Sequence, residues 1–267
     1  MAEKIIFKNT EAQNKAGLIK RIDDLMEIPS DRVVIFFANQ DNTNRPDYKP
    51  VYGKYYDMEA FYLDRREDKR FPRSSPNEIQ EELKLGFFWK NRCEHFIWIS
   101  KRIGEAEEIH FALIYSHELQ HLKQSLKNKN LLIIAKLLEY NDNYGDLNID
   151  LPTEVECEAK AKEILVELFN QETFEAYIKR MKERGPYESK RYGRLLELNI
   201  PTNFDVEREI QQDICKNKEK LKTIQKKRED KRYTDWNIDI DKLCSCRDPH
   251  EAIVSAVRKL NQDGGLL

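Results

Sequence analysis

The sequence predicts an α+β fold: a small, few-stranded sheet packed on helices, followed by a helical C-terminal part. Three observations predict it. The strand candidates all lie before residue 100, the apolar period turns helical from Gly104 onward, and Gly185-Pro186 interrupts the helical part. Strands followed by runs of helix, rather than strict alternation, indicate α+β. The expected division is residues 1–185 as one domain and residues 186–267 as a helical C-terminal region.

The elements follow in chain order. Residues 11–27 carry Ala16, Ile19, Ile22 and Leu25 at helical spacing, and Pro29 ends that helix. Val33-Val34-Ile35-Phe36-Phe37 is a continuous apolar run rich in β-branched and aromatic side chains, which suits a strand buried on both faces. Residues 51–63 offer one or two further strands, and residues 64–82, charged and broken by Pro72 and Pro76, read as a loop. Residues 94–100 alternate, with Phe96 and Trp98 on one side and Ile97 and Ile99 on the other, so a strand is expected. Helices are expected over about 105–126, 131–140, 153–169 with Thr153 as N-cap, and onward to about 183. A long charged helix over 205–231 and a last one over 249–261 complete the chain.

Composition limits the function. The chain has 267 residues, enough for a substantial core. Its 46 basic and 48 acidic residues leave a formal charge of −2, which excludes a globally basic nucleic-acid binder. No apolar run approaches the roughly 20 residues of a membrane span, and no signal-peptide pattern is visible. The five cysteines, Cys93, Cys157, Cys215, Cys244 and Cys246, are odd in number and scattered. They are read as reduced thiols of a cytoplasmic protein, with Cys244-Ser-Cys246 as a minor candidate for a metal or redox pair.

The segment that carries chemistry is Ser116-His117-Glu118-Leu119-Gln120-His121. On a helix, residues four apart stand one above the other, so His117 and His121 can share one tetrahedral Zn²⁺. Glu118 is not aimed at the ion but reaches a water beside it, as a general base requires. A catalytic zinc site takes a third protein ligand and keeps one position open. Three downstream glutamates are candidates, and helical faces sort them. Glu156 shares a face with Lys160, Glu163 and Glu167, a solvated face. Glu158 shares one with Ala161, Leu165 and Leu168, a buried face on which a carboxylate needs a cation. Glu158 is therefore the expected third ligand and Glu154 the fallback.

Over about residues 94–170 the chain resembles zincin metallopeptidases, on the His117-Glu118-x-x-His121 helix and the later Glu158-Ala159. A glutamate as third ligand resembles the gluzincin branch, and the layout distantly resembles the ImmA/IrrE type. The resemblance implies a zincin-like catalytic domain hydrolysing peptide bonds, with His117, His121 and Glu158 on Zn²⁺ and Glu118 as the base. The substrate is then a protein or peptide. Tyr140, Tyr144 and Tyr192 are candidates to stabilise the oxyanion, and the strand at 94–100 is a candidate edge for pairing with an extended substrate. His95 and His110 are read as structural, with His110 two turns before His117 at the mouth of a cleft.

Lys216 to Arg232 holds nine basic and three acidic residues in seventeen positions. The favoured reading is a solvated, ion-paired helix face. Nucleic-acid contact is the less favoured one, since no aromatic side chain interleaves the run. The alternative to an enzyme is a helical binding or sensing protein with a structural or inactive zinc site. Oligomeric state is not legible.

Overall fold

The computed structural model describes residues 4–28, 33–39, 60–64, 95–138, 150–200, 203–229 and 236–259. Most of the expected loop at 64–82, most of the strand region 51–63, Cys93, Tyr140 and Tyr144 lie outside the described residues. The fold is α+β, mostly helical around a small sheet. It divides into two compact units, one comprising Met1–Leu122 and Lys160–Leu196, the other Lys123–Ala159 and Glu197–Leu267.

The first unit is built on a four-stranded sheet: β1 (Lys4–Phe7), β2 (Val33–Phe37), β3 (Ala60–Asp64) and β4 (His95–Ile99), in the order β1-β2-β4-β3. β1, β2 and β4 run parallel and β3 antiparallel to β4. A parallel pair needs a crossover. Between β1 and β2 this is made by α1 (Thr10–Asn14) and α2 (Ala16–Leu25). The expected helix at 11–27 is thus two, divided at Lys15. All five residues of β2 are buried, as its unbroken apolar run requires. β4 pairs on both sides, with Val34 opposite Phe96 and Leu63 opposite Phe96. It is therefore no sheet edge, and the expected pairing of this strand with an extended substrate is corrected: both of its hydrogen-bonding sides are already used.

Ser100 ends β4 and caps the short α3 (Lys101–Glu105), its Oγ accepting from the Ile103 amide at 3.3 Å. Gly104 permits α1 to approach this turn: a Cβ there would stand 3.1 Å from Asn9 Nδ2 and 3.3 Å from Ala12 Cβ. The following α4 (Glu108–Lys127) lays Phe111 and Tyr115 against Phe37 of the sheet, each with ring centroids 5.9 Å from it. Helices α5 (Leu131–Leu138), α6 (Pro152–Phe169), α7 (Gln171–Lys182) and α8 (Pro186–Glu197) follow. α6 begins one residue earlier than expected, so Thr153 lies inside its first turn rather than capping it. α7 is capped by Asn170, whose side chain accepts from the Thr173 amide at 3.0 Å.

The second unit has its own core. α5 packs with α9 (Val206–Lys216), α11 (Ile240–Ser245) and α12 (Pro249–Ala256) around Leu131, Ile134, Ile210, Ile214, Leu243 and Ile253. The expected single helix over 205–231 is broken at Asn217 into α9 and α10 (Lys218–Glu229). Asn217 returns its side-chain amide to the Asp213 carbonyl at 2.8 Å. The last helix is shorter than expected because residues 257–259 form β6 (Val257–Lys259), paired antiparallel with β5 (Trp236–Ile238). Three-residue strands carry too little alternation to be read from sequence.

The cysteines also differ from the expectation of five thiols. Cys215 of α9 and Cys244 of α11 form a disulfide, with Cα atoms 5.3 Å apart. Cys244 is therefore not paired with Cys246, whose Sγ lies 3.4 Å from the Asp248 carbonyl oxygen. Two cationic side chains of the basic run, Lys218 and Lys222, converge on Asp241 at 2.6 and 2.7 Å. Their hydrogen bonds hold the Asp241 carboxyl below its ordinary range. Among the described residues no helix is long and apolar enough to cross a membrane.

Candidate metal centre

The side of α4 that faces the sheet is fixed by Phe111, Ala112, Tyr115, Leu119 and Leu122, all buried. At about 100° per residue, His117 and His121 then project from the opposite side of the helix, 200–240° round from Tyr115. Both are partly buried. Their Nε2 atoms stand 3.2 Å apart, and the rings meet nearly edge to face, centroids 4.9 Å apart. Two nitrogens each about 2.05 Å from a tetrahedral ion are separated by about 3.3 Å. The imidazole pair is therefore spaced as two ligands of one metal ion would be. Glu118, between them in sequence, is 8% exposed.

α6 supplies the other candidate donors. The His117 and His121 nitrogens and Cys157 Sγ lie within 4.8 Å of one another, a group able to hold a metal ion. Cys157 escaped the sequence reading, which looked for a carboxylate and treated cysteine only in pairs. Its signal was present: it sits next to Glu158, on the apolar side of the same helix. Glu158 is 6% exposed and Cys157 fully buried. Glu154 and Glu156 are partly buried. Glu156 accepts from Gln124 Nε2 at 2.8 Å, and the same amide donates to the Thr153 carbonyl at 2.9 Å. On the solvated side, Lys160 pairs with Glu163 at 2.9 Å, as the face argument expects.

The remaining histidines have other settings. His95 is buried in β4. His110 lies 2.6 Å from the Tyr177 hydroxyl through Nδ1. His250 Nδ1 lies 2.9 Å from Glu207 Oε1. Tyr192, one of the oxyanion candidates, is 2% exposed and packs edge-on against Tyr177.

Beneath the motif lies a buried polar pair. Tyr115, two residues before His117, donates its hydroxyl proton to Asp23 Oδ1 at 2.8 Å. Asp23 is 2% exposed and its Oδ2 has no hydrogen-bond partner among the described residues. Burial pushes its pKa up to about 6, against the smaller lowering effect of the Tyr115 bond. Burial, reinforced by the carboxylate, also holds the Tyr115 hydroxyl well above the ordinary tyrosine range. Ser116 Oγ is likewise buried without a partner among the described residues.

No family model, no curated protein and no solved structure matches this chain.

Proposed function

We propose that this protein is a zinc-dependent metallopeptidase that hydrolyses peptide bonds in a protein or peptide substrate. The observation that carries the reading is the 3.2 Å separation of the His117 and His121 Nε2 atoms on one helix, with Glu118 beside them. It supports the zincin reading that the sequence resemblance suggests, on a helix held against a sheet. His117 and His121 would hold the ion, and α6 would supply the third ligand. Glu158 is the candidate by helical face and Cys157 by proximity; either brings one negative charge.

A zinc ion bound there would supply Lewis-acid polarisation of a peptide carbonyl and would lower the pKa of water toward about 7. The chain's own residues do the rest. Glu118 accepts the proton of the attacking water and passes it to the departing amine. The helix carrying all three residues is fixed by Phe111 and Tyr115 on Phe37, so the base and both imidazoles keep their spacing. The cytoplasm is the compartment this reading assigns. The Cys215–Cys244 pair is the feature that a thiol count on protein extracted from cells would check against it.

Glu118→Gln tests the mechanism. The amide has nearly the shape of the carboxylate but cannot take the proton. Fold and metal content should be unchanged, and turnover of a peptide library should fall by about 10²–10⁴-fold. Cleavage by Glu118→Gln at the wild-type rate removes Glu118 as the base.

A further inference from the structure

We propose that Cys215, Cys244 and Cys246 form a thiol–disulfide exchange centre in the second unit, in which the bond held by Cys215 passes between Cys244 and Cys246. The inference does not rest on the metallopeptidase reading.

The fold gathers these three cysteines. Cys215 lies in the last turn of α9, Cys244 lies in α11, and Cys246 is the residue at which the chain leaves α11. Cys215 and Cys244 are joined, and Cys246 is a free thiol. All three pack against the same apolar core. All three are partly buried, so the disulfide is not sealed off as a fully buried one would be.

Cys246 is tied to the stretch of α9 that carries Cys215. Gln211 and Cys215 are four residues apart, so they share a face of that helix, about 6 Å apart along its axis. The Gln211 side-chain amide donates to the Cys246 carbonyl and to the Leu243 carbonyl, at 2.8 Å each. One face of α9 therefore holds both the disulfide and the backbone of the free thiol. A disulfide takes Cα atoms within about 7 Å of each other. Those of Cys215 and Cys244 are 5.3 Å apart, and Cys246 follows Cys244 by two residues. At φ −80° and ψ 136°, Cys246 has already left the helical conformation, so its side chain can turn toward α9 without unwinding α11. Its thiol donates to the Asp248 carbonyl at 3.4 Å, a weak bond to give up.

The exchange needs no outside oxidant or reductant. The Cys246 thiol gives its proton to solvent, and the thiolate attacks Cys215 Sγ. The Cys215–Cys246 bond forms as the Cys215–Cys244 bond breaks. Cys244 leaves with the electron pair as a thiolate and takes up a proton. One disulfide and one thiol stand on each side of the reaction. Attack on Cys244 Sγ instead would join two residues of one short segment and release α9 from α11. Exchange at Cys215 keeps the two helices tied. What it shifts is the entry to α12: Asp248 caps that helix, accepting from the Glu251 amide at 2.9 Å, and its carbonyl loses the Cys246 thiol when that sulfur moves to Cys215.

Peptide mapping of the full-length chain without reductant tests this. The folded protein is oxidised with glutathione disulfide, labelled with iodoacetamide, denatured in acid and digested with trypsin. Cys215 falls in the peptide 209–216, and Cys244 and Cys246 fall together in 243–247, where fragmentation tells them apart. In wild type, Cys215 should carry no label, and label should appear on Cys244 as well as on Cys246. In Cys246→Ser the label on Cys244 should disappear, because nothing then displaces it from Cys215. In Cys244→Ser, Cys215 should be found joined to Cys246. Thermal melts check that the variants fold, and the wild-type map decides the matter if one does not. Label confined to Cys246 in wild type overturns the proposal, as does label on Cys215 of the oxidised chain. Label on Cys244 that persists in Cys246→Ser also overturns it. So does a folded Cys244→Ser in which Cys215 stays a thiol or is joined to glutathione.

Discussion

Two buried carboxylates, one in each unit, stand in opposite surroundings. Glu207 of α9 is 4% exposed and is met by three donors. Asn128 Nδ2 donates to its Oε1 at 2.6 Å, His250 Nδ1 lies 2.9 Å from the same oxygen, and Lys127 Nζ lies 3.6 Å from Oε2. Asp23 of α2 is 2% exposed and, among the described residues, is met by one donor, the Tyr115 hydroxyl. The first carboxylate has exchanged water for charged and polar partners and fastens α9 to the end of α4 and to α12. The second has lost water without full replacement, so its charge opposes folding. The second unit uses buried polar groups as fasteners: Gln211 Nε2 also donates to the Leu243 and Cys246 carbonyls, at 2.8 Å each. The first unit keeps an uncompensated carboxylate under the helix of its candidate metal site. Such local departures from full satisfaction are expected where function, rather than stability, selects the residues.

The contrast makes opposite predictions for removing the two charges. Glu207→Ala should destabilise the protein by about 3–4 kcal/mol. It removes two hydrogen bonds to a charged acceptor, each contributing about 1.5–3 kcal/mol, with a discount for the half-exposed His250. Urea unfolding at pH 7 measures it, and a loss below about 1 kcal/mol would make Glu207 an ordinary surface group. Asp23→Asn should act in the other direction. The folded carboxyl has a pKa raised to about 6 from the ordinary 3.8, so the folded state holds its proton more tightly than the unfolded chain does. This contribution is fully present below about pH 4 and is lost as pH rises through about 6. At pH 7 the wild type carries the whole cost, about 3 kcal/mol at 1.36 kcal/mol per pKa unit. Asp23→Asn keeps an oxygen for Tyr115 and should recover about 2–3 kcal/mol at pH 7. It should also flatten the stability profile between pH 4 and 6. A variant as pH-dependent as wild type in that window would end the contrast.

The sequence makes local features legible and leaves long-range ones hidden. β2 was readable because Val33–Phe37 is apolar without a gap, and α4 because its buried residues recur at helical spacing. The same spacing exposed His117, Glu118 and His121 as one group. β1, with the four residues Lys4–Phe7, was too short to stand out, and only its pairing with β2 makes it a strand. Asp23 and Tyr115 are 92 residues apart, and Asn128 and Glu207 are 79 apart. No periodicity reports such partners. The disulfide between Cys215 and Cys244 crosses 29 residues and two helices. For the third metal ligand, helical faces narrowed the choice to the buried side of α6, where Cys157 and Glu158 are neighbours.

Metal content tests the central claim most directly. Full-length protein purified without chelator should carry about one Zn²⁺ per chain by elemental analysis, or take up that amount on addition. His117→Ala should carry none while keeping the wild-type circular dichroism spectrum. Cys157→Ala and Glu158→Gln, measured beside it, identify the third ligand as whichever loses the metal. Wild-type protein that holds no zinc and takes up none contradicts the account.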